Sequence, residues 1–259
     1  GELTSEDEVI PVVVIYTKKR CGRYKARAVA LGNRQTKVSV TEVYSPTISH
    51  AANRYLLVDG AAKGHYVGGF DVSNAFIKAV LGDERVICRL PKHWSKDSKK
   101  GDLVRLLKSL YGLRIAPRRW FDAYRAHLEE PGWTMCDKEP GLFRKGLMLL
   151  SVYVDDTLVS GPSKREVDDA MNEIMKKYPG KVIPAVMDGD VEVRDILGAT
   201  LRYNRKERSM KICMDGAIDR LLKKFNMEGC RVAASPCVLT NPVDGGKENT
   251  TFPIRSMVG

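Results

Sequence analysis

Residues 149–161, LLSVYVDDTLVSG, set Asp155 and Asp156 side by side between two short runs rich in Val, Leu and Tyr. β-Branched and aromatic runs of this length favour strands, and two adjacent charges are tolerated between them only where the chain turns at a surface. The stretch 147–160 is therefore expected to be a β-hairpin with the carboxylates at its tip. Two readings follow. Asp suits turns for its own sake, because its side chain bonds nearby backbone N–H groups. Alternatively, the tip lifts both carboxylates to the rim of a sheet, where they can hold a divalent metal.

The rest of the chain supplies layers for that hairpin. Residues 9–16 and 24–31 read as strands, and period-two alternation sends Lys25 and Arg27 to one face. KKRCGR between them reads as a hairpin turn. A helix is expected over 48–58, ended by the DG and KG breakers, then a strand over 66–72 whose paired glycines permit close backbone approach. It delivers Asp71 near its end. Residues 85–90 and 102–107 are further strand candidates. Pro117 suits the first turn of a helix over 116–130, with His127 on its apolar stripe as a core residue. Ser163 and Glu166 form a capping box for the next helix, which Pro179-Gly180 stops. Residues 181–203 read as extended structure around a DGD turn, and Asp215 can cap a last helix. The order β-α-β-α-β-β-α-β predicts an α+β domain with helices on one face of an antiparallel sheet and the other face open.

Charge narrows the partners. The 259 residues carry 43 Lys+Arg against 32 Asp+Glu, a formal net charge of +11, which favours a polyanion such as nucleic acid or an anionic membrane surface. No run of eighteen apolar residues exists, and the acidic opening GELTSEDE lacks the order of a signal peptide, so an intracellular protein without a membrane partner is expected. The six cysteines and four histidines share no zinc-ligand spacing. Gly1 in place of Met is expected of a fragment.

A carboxylate from each of two strands, Asp71 from one and Asp155 from another, is a donor set suited to Mg²⁺, which prefers oxygen, keeps several waters and borrows ligands from phosphates. Two such ions about 3.5–4 Å apart serve in-line displacement at phosphorus, the chemistry of polymerases and nucleases.

YKARAVALGNRQ, YSPT, GFDVSNAFIKAVL, KSLYGLRIAPRRWFDAY, SVYVDD, ILGATL and FPIRSMVG occur in this order. Together they resemble the reverse transcriptase domain of copia-type long-terminal-repeat retrotransposons, from about residue 12 to the end. The resemblance implies a right-hand polymerase with fingers and palm and a partial thumb: fingers over 1–66 and 83–115, palm over 67–82 and 116–203, truncated thumb or connection over 204–259. It implies RNA-directed DNA polymerase activity, with RNA template, DNA primer–template duplex and deoxynucleoside triphosphates as partners. Two Mg²⁺ ions, or Mn²⁺ in their place, would be the cofactor. A cytoplasmic particle or the nucleus would be its place, and the oligomeric state stays open.

The same resemblance assigns residues. Asp71 and Asp155 become principal metal ligands, Asp156 the second member of the pair, and the Val72 carbonyl a further ligand. Adjacent strand residues face opposite ways, which ranks Asp156 below Asp155. Phe76 falls where this class has an aromatic gate against a ribose 2′-hydroxyl; a buried structural Phe is the other reading. Lys25 and Arg27 resemble residues that close on the triphosphate, although unaided they read as a solvated strand face. Tyr111 and Gly112 would lie under the nascent base pair. Tyr153, Arg114 and Arg118 would meet template and primer, the two arginines lying within a basic segment, 96–119, that also holds Lys96, Lys99 and Lys100. Lys177 loosely matches a general acid for departing pyrophosphate. Leu31 and Ile115 depart from an expected arginine and glutamine, and PIRSMVG ends inside a block that normally continues toward a ribonuclease H domain. A noncatalytic nucleic-acid-binding remnant and a two-metal nuclease are the rival expectations.

Overall fold

The computed structural model describes residues 4, 7–18, 22–91, 94 and 102–231. Lys96, Lys99, Lys100, the tip of the first hairpin and the FPIRSMVG block lie outside them. In chain order the elements begin with β1 (Val9–Lys18), β2 (Tyr24–Ala30), the one-turn α1 (Val40–Val43), α2 (His50–Lys63) and β3 (Tyr66–Val72). They continue with β4 (Ile87–Arg89), β5 (Leu103–Arg105), α3 (Ala116–Glu129), β6 (Thr134–Cys136), β7 (Glu139–Lys145), β8 (Met148–Tyr153) and β9 (Asp156–Gly161). Then come α4 (Lys164–Lys177), β10 (Gly180–Val182), β11 (Val186–Asp188), β12 (Val191–Ile196), β13 (Ala199–Asn204), β14 (Ser209–Cys213) and α5 (Asp215–Lys224).

The strands form three sheets, ordered β2-β1-β4-β5, β10-β3-β9-β8-β7-β6 and β11-β12-β13-β14. The first closes over Ile10, Val12, Ala30, Val86, Cys88, Leu113 and Ile115. Ile115 is buried there, so the departure from a polar family residue makes core rather than leaving a gap. The middle sheet is antiparallel throughout. One of its faces, carrying Phe70, Val72, Leu150, Val152 and Val159, packs on Trp120, Tyr124 and Leu128 of α3 and Val167, Met171 and Ile174 of α4.

Its other face is not wholly open. Leu56, Leu57 and Ala61 of α2 pack on Val67 and Leu158 together with Ile196, Leu201 and Tyr203 of the third sheet. Helices thus cover both faces, contrary to the expectation of one. The reason is in α2 itself, which carries apolar side chains around its whole circumference and so hides which face it buries. The helix also runs past the Asp59-Gly60 breaker to a left-handed Gly64 cap, with Ser49 accepting from the Ala52 N–H at its start. A Cβ at Gly60 would come 2.6 Å from Ser160 Oγ, so this glycine allows helix–strand contact rather than ending the helix.

The other sequence-level elements stand close to where the pattern put them. Gly68 and Gly69 give the close approach expected of β3: a Cβ at Gly68 would meet Val167 Cγ1 at 2.8 Å, and one at Gly69 would meet Leu158 Cδ2 at 2.8 Å. The capping box forms, with the Glu166 N–H donating to Ser163 Oγ and that hydroxyl donating to Glu166 Oε2. His127 is buried, as a core residue should be. The chain divides after Ala217; the second unit, as far as it is described, is the body of α5, closed by the Met227 N–H donating to the Leu222 carbonyl.

Candidate active site

β3 and β9 are antiparallel neighbours, and their register pairs Asp71 with Asp156. Asp156 in turn opposes Tyr153 on β8, while Lys181 on the edge strand β10 opposes Asp71. Directly opposed residues project from the same face of a sheet. Lys181, Asp71, Asp156 and Tyr153 therefore form one row across four strands, on the face away from α3 and α4, because Phe70 and Val72 on either side of Asp71 are buried against those helices.

Asp155 stands in the two-residue turn between β8 and β9, preceded by Val154 at φ 59°. A positive φ at the first turn position suits a hairpin, but a β-branched residue there costs about 1–3 kcal/mol. Two bonds hold the strained turn. The indole N–H of Trp120 donates to the Val154 carbonyl at 2.7 Å, and the Val72 N–H donates to the Asp155 carbonyl at 2.8 Å. The turn breaks strand alternation, so the argument that ranked Asp156 below Asp155 does not apply. Register makes Asp156 the facing partner of Asp71, and the Val72 bond ties Asp155 to the residue after it.

The surroundings of Asp156 resist its charge. Burial pushes the Asp156 carboxyl up to about 6, and the charges of Asp155 and Asp71 push it the same way. The Tyr111 phenol is also raised, by burial first and then by Asp155, with Asp71 adding to it and Arg27 opposing. Tyr111 thus shares the field of the carboxylates. Its ring meets Phe76 edge-on, centroids 5.2 Å apart, and the Arg27 guanidinium lies 6.0 Å from its centroid. Three distant segments, at Arg27, Phe76 and Tyr111, converge beside the hairpin, and Lys25 lies two residues from Arg27 on the same strand face.

Gly112 adopts φ 89°, and a Cβ there would fall 2.1 Å from the Ala30 carbonyl oxygen. The approach expected at this glycine is real, but the approaching backbone is the chain's own β2, whose Ala30 N–H also donates to the Tyr111 carbonyl at 2.7 Å. Arg114 is engaged internally: its N–H and Nη1 donate to Oε1 and the carbonyl of Gln35. Gln35 is buried, a supporting role the sequence reading did not single out. Arg118 pairs with Asp122 one helical turn on, at 2.8 Å. Lys177 is not brought to the carboxylates. It ends α4 on the helix-covered side, 3.6 Å from Glu130. Lys181 takes the place beside Asp71; only knowledge that β10 adds to the edge of β3 could have found it.

A cleft of about 410 Å³ opens at Asp71 and Lys181, walled by Val182, Ile183, Val186, Val193 and Arg194. A larger cleft, about 760 Å³ between α2 and the β7–β8 turn, does not include the carboxylates. Among the described residues no three His, Cys, Asp or Glu side chains make a ready metal cage. Mg²⁺ does not require one, since it is commonly held by one or two carboxylates with water and substrate phosphate completing the shell. Asp156, raised by burial and then by the charges of Asp155 and Asp71, stands among hard oxygen donors that suit such a cation. Among the described residues no helix is long and apolar enough to cross a membrane.

The model of the family described as "Reverse transcriptase (RNA-dependent DNA polymerase)" matches residues 2–239. The chain is 28% identical over 221 residues to the retrovirus-related Pol polyprotein from transposon TNT 1-94 of Nicotiana tabacum, covering 83% of this chain and 16% of that protein. It is 29% identical over 228 residues to the transposon Ty1-DR1 Gag-Pol polyprotein of Saccharomyces cerevisiae, covering 85% and 12%. Both relatives are copia-type, as the ordered motifs led us to expect, and this chain spans less than a fifth of either. Among solved structures, telomerase from Candida albicans in complex with a fragment of telomeric RNA aligns at TM-score 0.39 and 9% identity, over 83% of this chain and 48% of that one.

Proposed function

The chain belongs to the reverse transcriptase (RNA-dependent DNA polymerase) family, and from that premise we propose that it is the RNA-directed DNA polymerase domain of a copia-like retrotransposon polyprotein. Its reaction is attack of a primer 3′-hydroxyl on the α-phosphate of a deoxynucleoside triphosphate, with pyrophosphate leaving. The right-hand division fits this role, with fingers over 1–66 and 83–115, palm over 67–82 and 116–203, and a thumb portion from 204 onward. The observation that carries the reading is the Asp71–Asp156 register with Asp155 tied to Val72.

Asp71 and Asp155, with Asp156 and the Val72 carbonyl, are the groups that would hold two Mg²⁺ ions, or Mn²⁺ in their place. When bound, such ions supply Lewis acidity to the attacking and leaving oxygens. Tyr111 and Phe76 form the floor of the nucleotide site, and the Phe76 ring excludes a ribose 2′-hydroxyl by steric conflict. Lys25 and Arg27 receive triphosphate oxygens, Arg27 offering a bidentate fork. Lys181 rather than Lys177 is the ammonium beside Asp71, suited to meet the charge that develops on the leaving group. Tyr153, at the end of the row, supports the primer terminus. Gly112, Arg114 and Arg118 act through the chain, seating the Tyr111 loop and the start of α3 beneath an RNA template and its primer duplex. The net charge of +11 supports a polyanionic partner, so duplex binding should weaken steeply with salt.

Primer extension on an RNA template with Mg²⁺ or Mn²⁺ tests the reading. The native chain should add deoxynucleotides, and Asp155→Asn should lower the rate by at least roughly 100-fold, the scale expected when a group stabilising transition-state charge is lost. An inert native chain that still binds the duplex would instead identify a noncatalytic remnant, and cleavage without added nucleotides a nuclease.

A further inference from the structure

We propose that Trp120 is a positioning residue for the carboxylate turn, and that its indole N–H holds Val154 in the left-handed conformation on which the placement of Asp155 depends. The proposal rests on the polymerase reading only for its consequence in catalysis.

The two-residue turn asks for a positive φ at its first position, but a valine at φ 59° meets that demand at a cost, because its branched side chain disfavours the region. A glycine would remain without cost. The sequence nevertheless places valine in the turn, so a restraint beyond the turn's own pairing would offset that cost. Trp120 supplies one. Its Nε1–H meets the Val154 carbonyl at 2.7 Å, and Trp120 is 1% exposed, so the donor is shielded from water. The indole is itself immobilised, stacked on Tyr124 with centroids 5.0 Å apart and edge-on to Tyr178 at 5.0 Å. Tyr124, one turn along α3, reaches the same hairpin beyond the turn, its hydroxyl 2.9 Å from Thr157 Oγ1. The helix therefore grips the hairpin at two points, before and after the aspartates. Released, Val154 would relax toward negative φ, rotating the following peptide and drawing the Asp155 carbonyl from the Val72 N–H.

Trp133 provides a matched control. It is buried in the same core, yet its indole Nε1 has no hydrogen-bond partner. Trp120→Phe and Trp133→Phe make the same truncation, but only the first deletes a bond to the turn. Amide hydrogen exchange at Val72 reads the turn directly and needs neither metal nor activity. Trp120→Phe should speed Val72 exchange by at least about tenfold and leave the β7–β8 amides protected. Trp133→Phe should leave Val72 at its native rate. Adding Val154→Gly to Trp120→Phe should restore much of the protection, because glycine occupies the first position of this turn unstrained.

In primer extension the same order should appear in kcat, roughly 10- to 100-fold lower for Trp120→Phe with the KM for deoxynucleotide unchanged. Native-like Val72 exchange in Trp120→Phe, equal loosening by Trp133→Phe, or no recovery with Val154→Gly would each overturn the proposal. A native chain that extends nothing would defeat the polymerase reading while leaving the exchange result to decide the role of Trp120.

Discussion

Replacing Asp156 by asparagine should make the protein more stable at neutral pH, because the native carboxylate is ionised where its surroundings resist charge. The carboxyl is raised from 3.8 to about 6, a difference of about 2 pK units, and each unit is worth about 1.4 kcal/mol. For an acid raised on folding, the folded chain binds the proton more tightly than the unfolded one. This favourable contribution is complete below pH 3.8 and is lost as the pH rises through about 6. Above that window the ionised group costs the fold about 2–3 kcal/mol.

Asparagine is nearly isosteric and carries no charge, so Asp156→Asn should gain about that amount at pH 8. The advantage should fall to roughly half at pH 5, where the native group is mostly protonated only in the folded state. In a chain of this size that corresponds to a rise in Tm of roughly 4–6 °C at pH 8. Urea unfolding of both proteins at pH 5 and pH 8, without divalent ions, measures it. An asparagine variant no more stable than the native chain at pH 8, or an advantage that does not shrink toward pH 5, would refute the claim that Asp71, Asp155 and burial act together on this side chain.

Millimolar Mg²⁺ at pH 8 should raise the native Tm more than that of Asp156→Asn, since a cation relieves a repulsion the variant lacks; calorimetry with and without the ion tests this. Gly112→Ala should cost at least about 2–4 kcal/mol by urea midpoint, because it imposes both a positive φ and a Cβ 2.1 Å from the Ala30 carbonyl. Phe76→Val should raise the ratio of ribonucleotide to deoxynucleotide incorporation more than it lowers deoxynucleotide incorporation; a purely structural Phe76 would lower both together and leave the ratio unchanged. Lys181→Gln should reduce kcat in primer extension roughly tenfold or more while Lys177→Gln stays near native, and the reverse order would return the role to Lys177.

Local pattern was enough to read most elements. The hairpin at 147–160, the β3 strand with its paired glycines, the capping box at Ser163 and the helix opening at Pro117 each follow from interactions within a few residues, which any short stretch carries with it. Ordered motifs likewise brought Asp71 and the aspartate pair into one hypothesis. The end of α2 was misread because a glycine needed for contact with Ser160 looks, in one dimension, the same as a glycine needed for a turn.

What belonged to the sequence alone was the inventory: which segments would be strand or helix, that two aspartates would sit at a tip, and that the chain would favour polyanions. The tertiary structure decided the pairings. That Asp71 faces Asp156, that Lys181 and not Lys177 joins their row, that Arg114 is spent on Gln35, and that an indole 34 positions away holds Val154 all depend on which strands become neighbours and in what register. Alternation states that a residue faces one side or the other. It does not state what stands opposite, because that is settled by burying several faces at once, a condition on the whole chain rather than on any part of it.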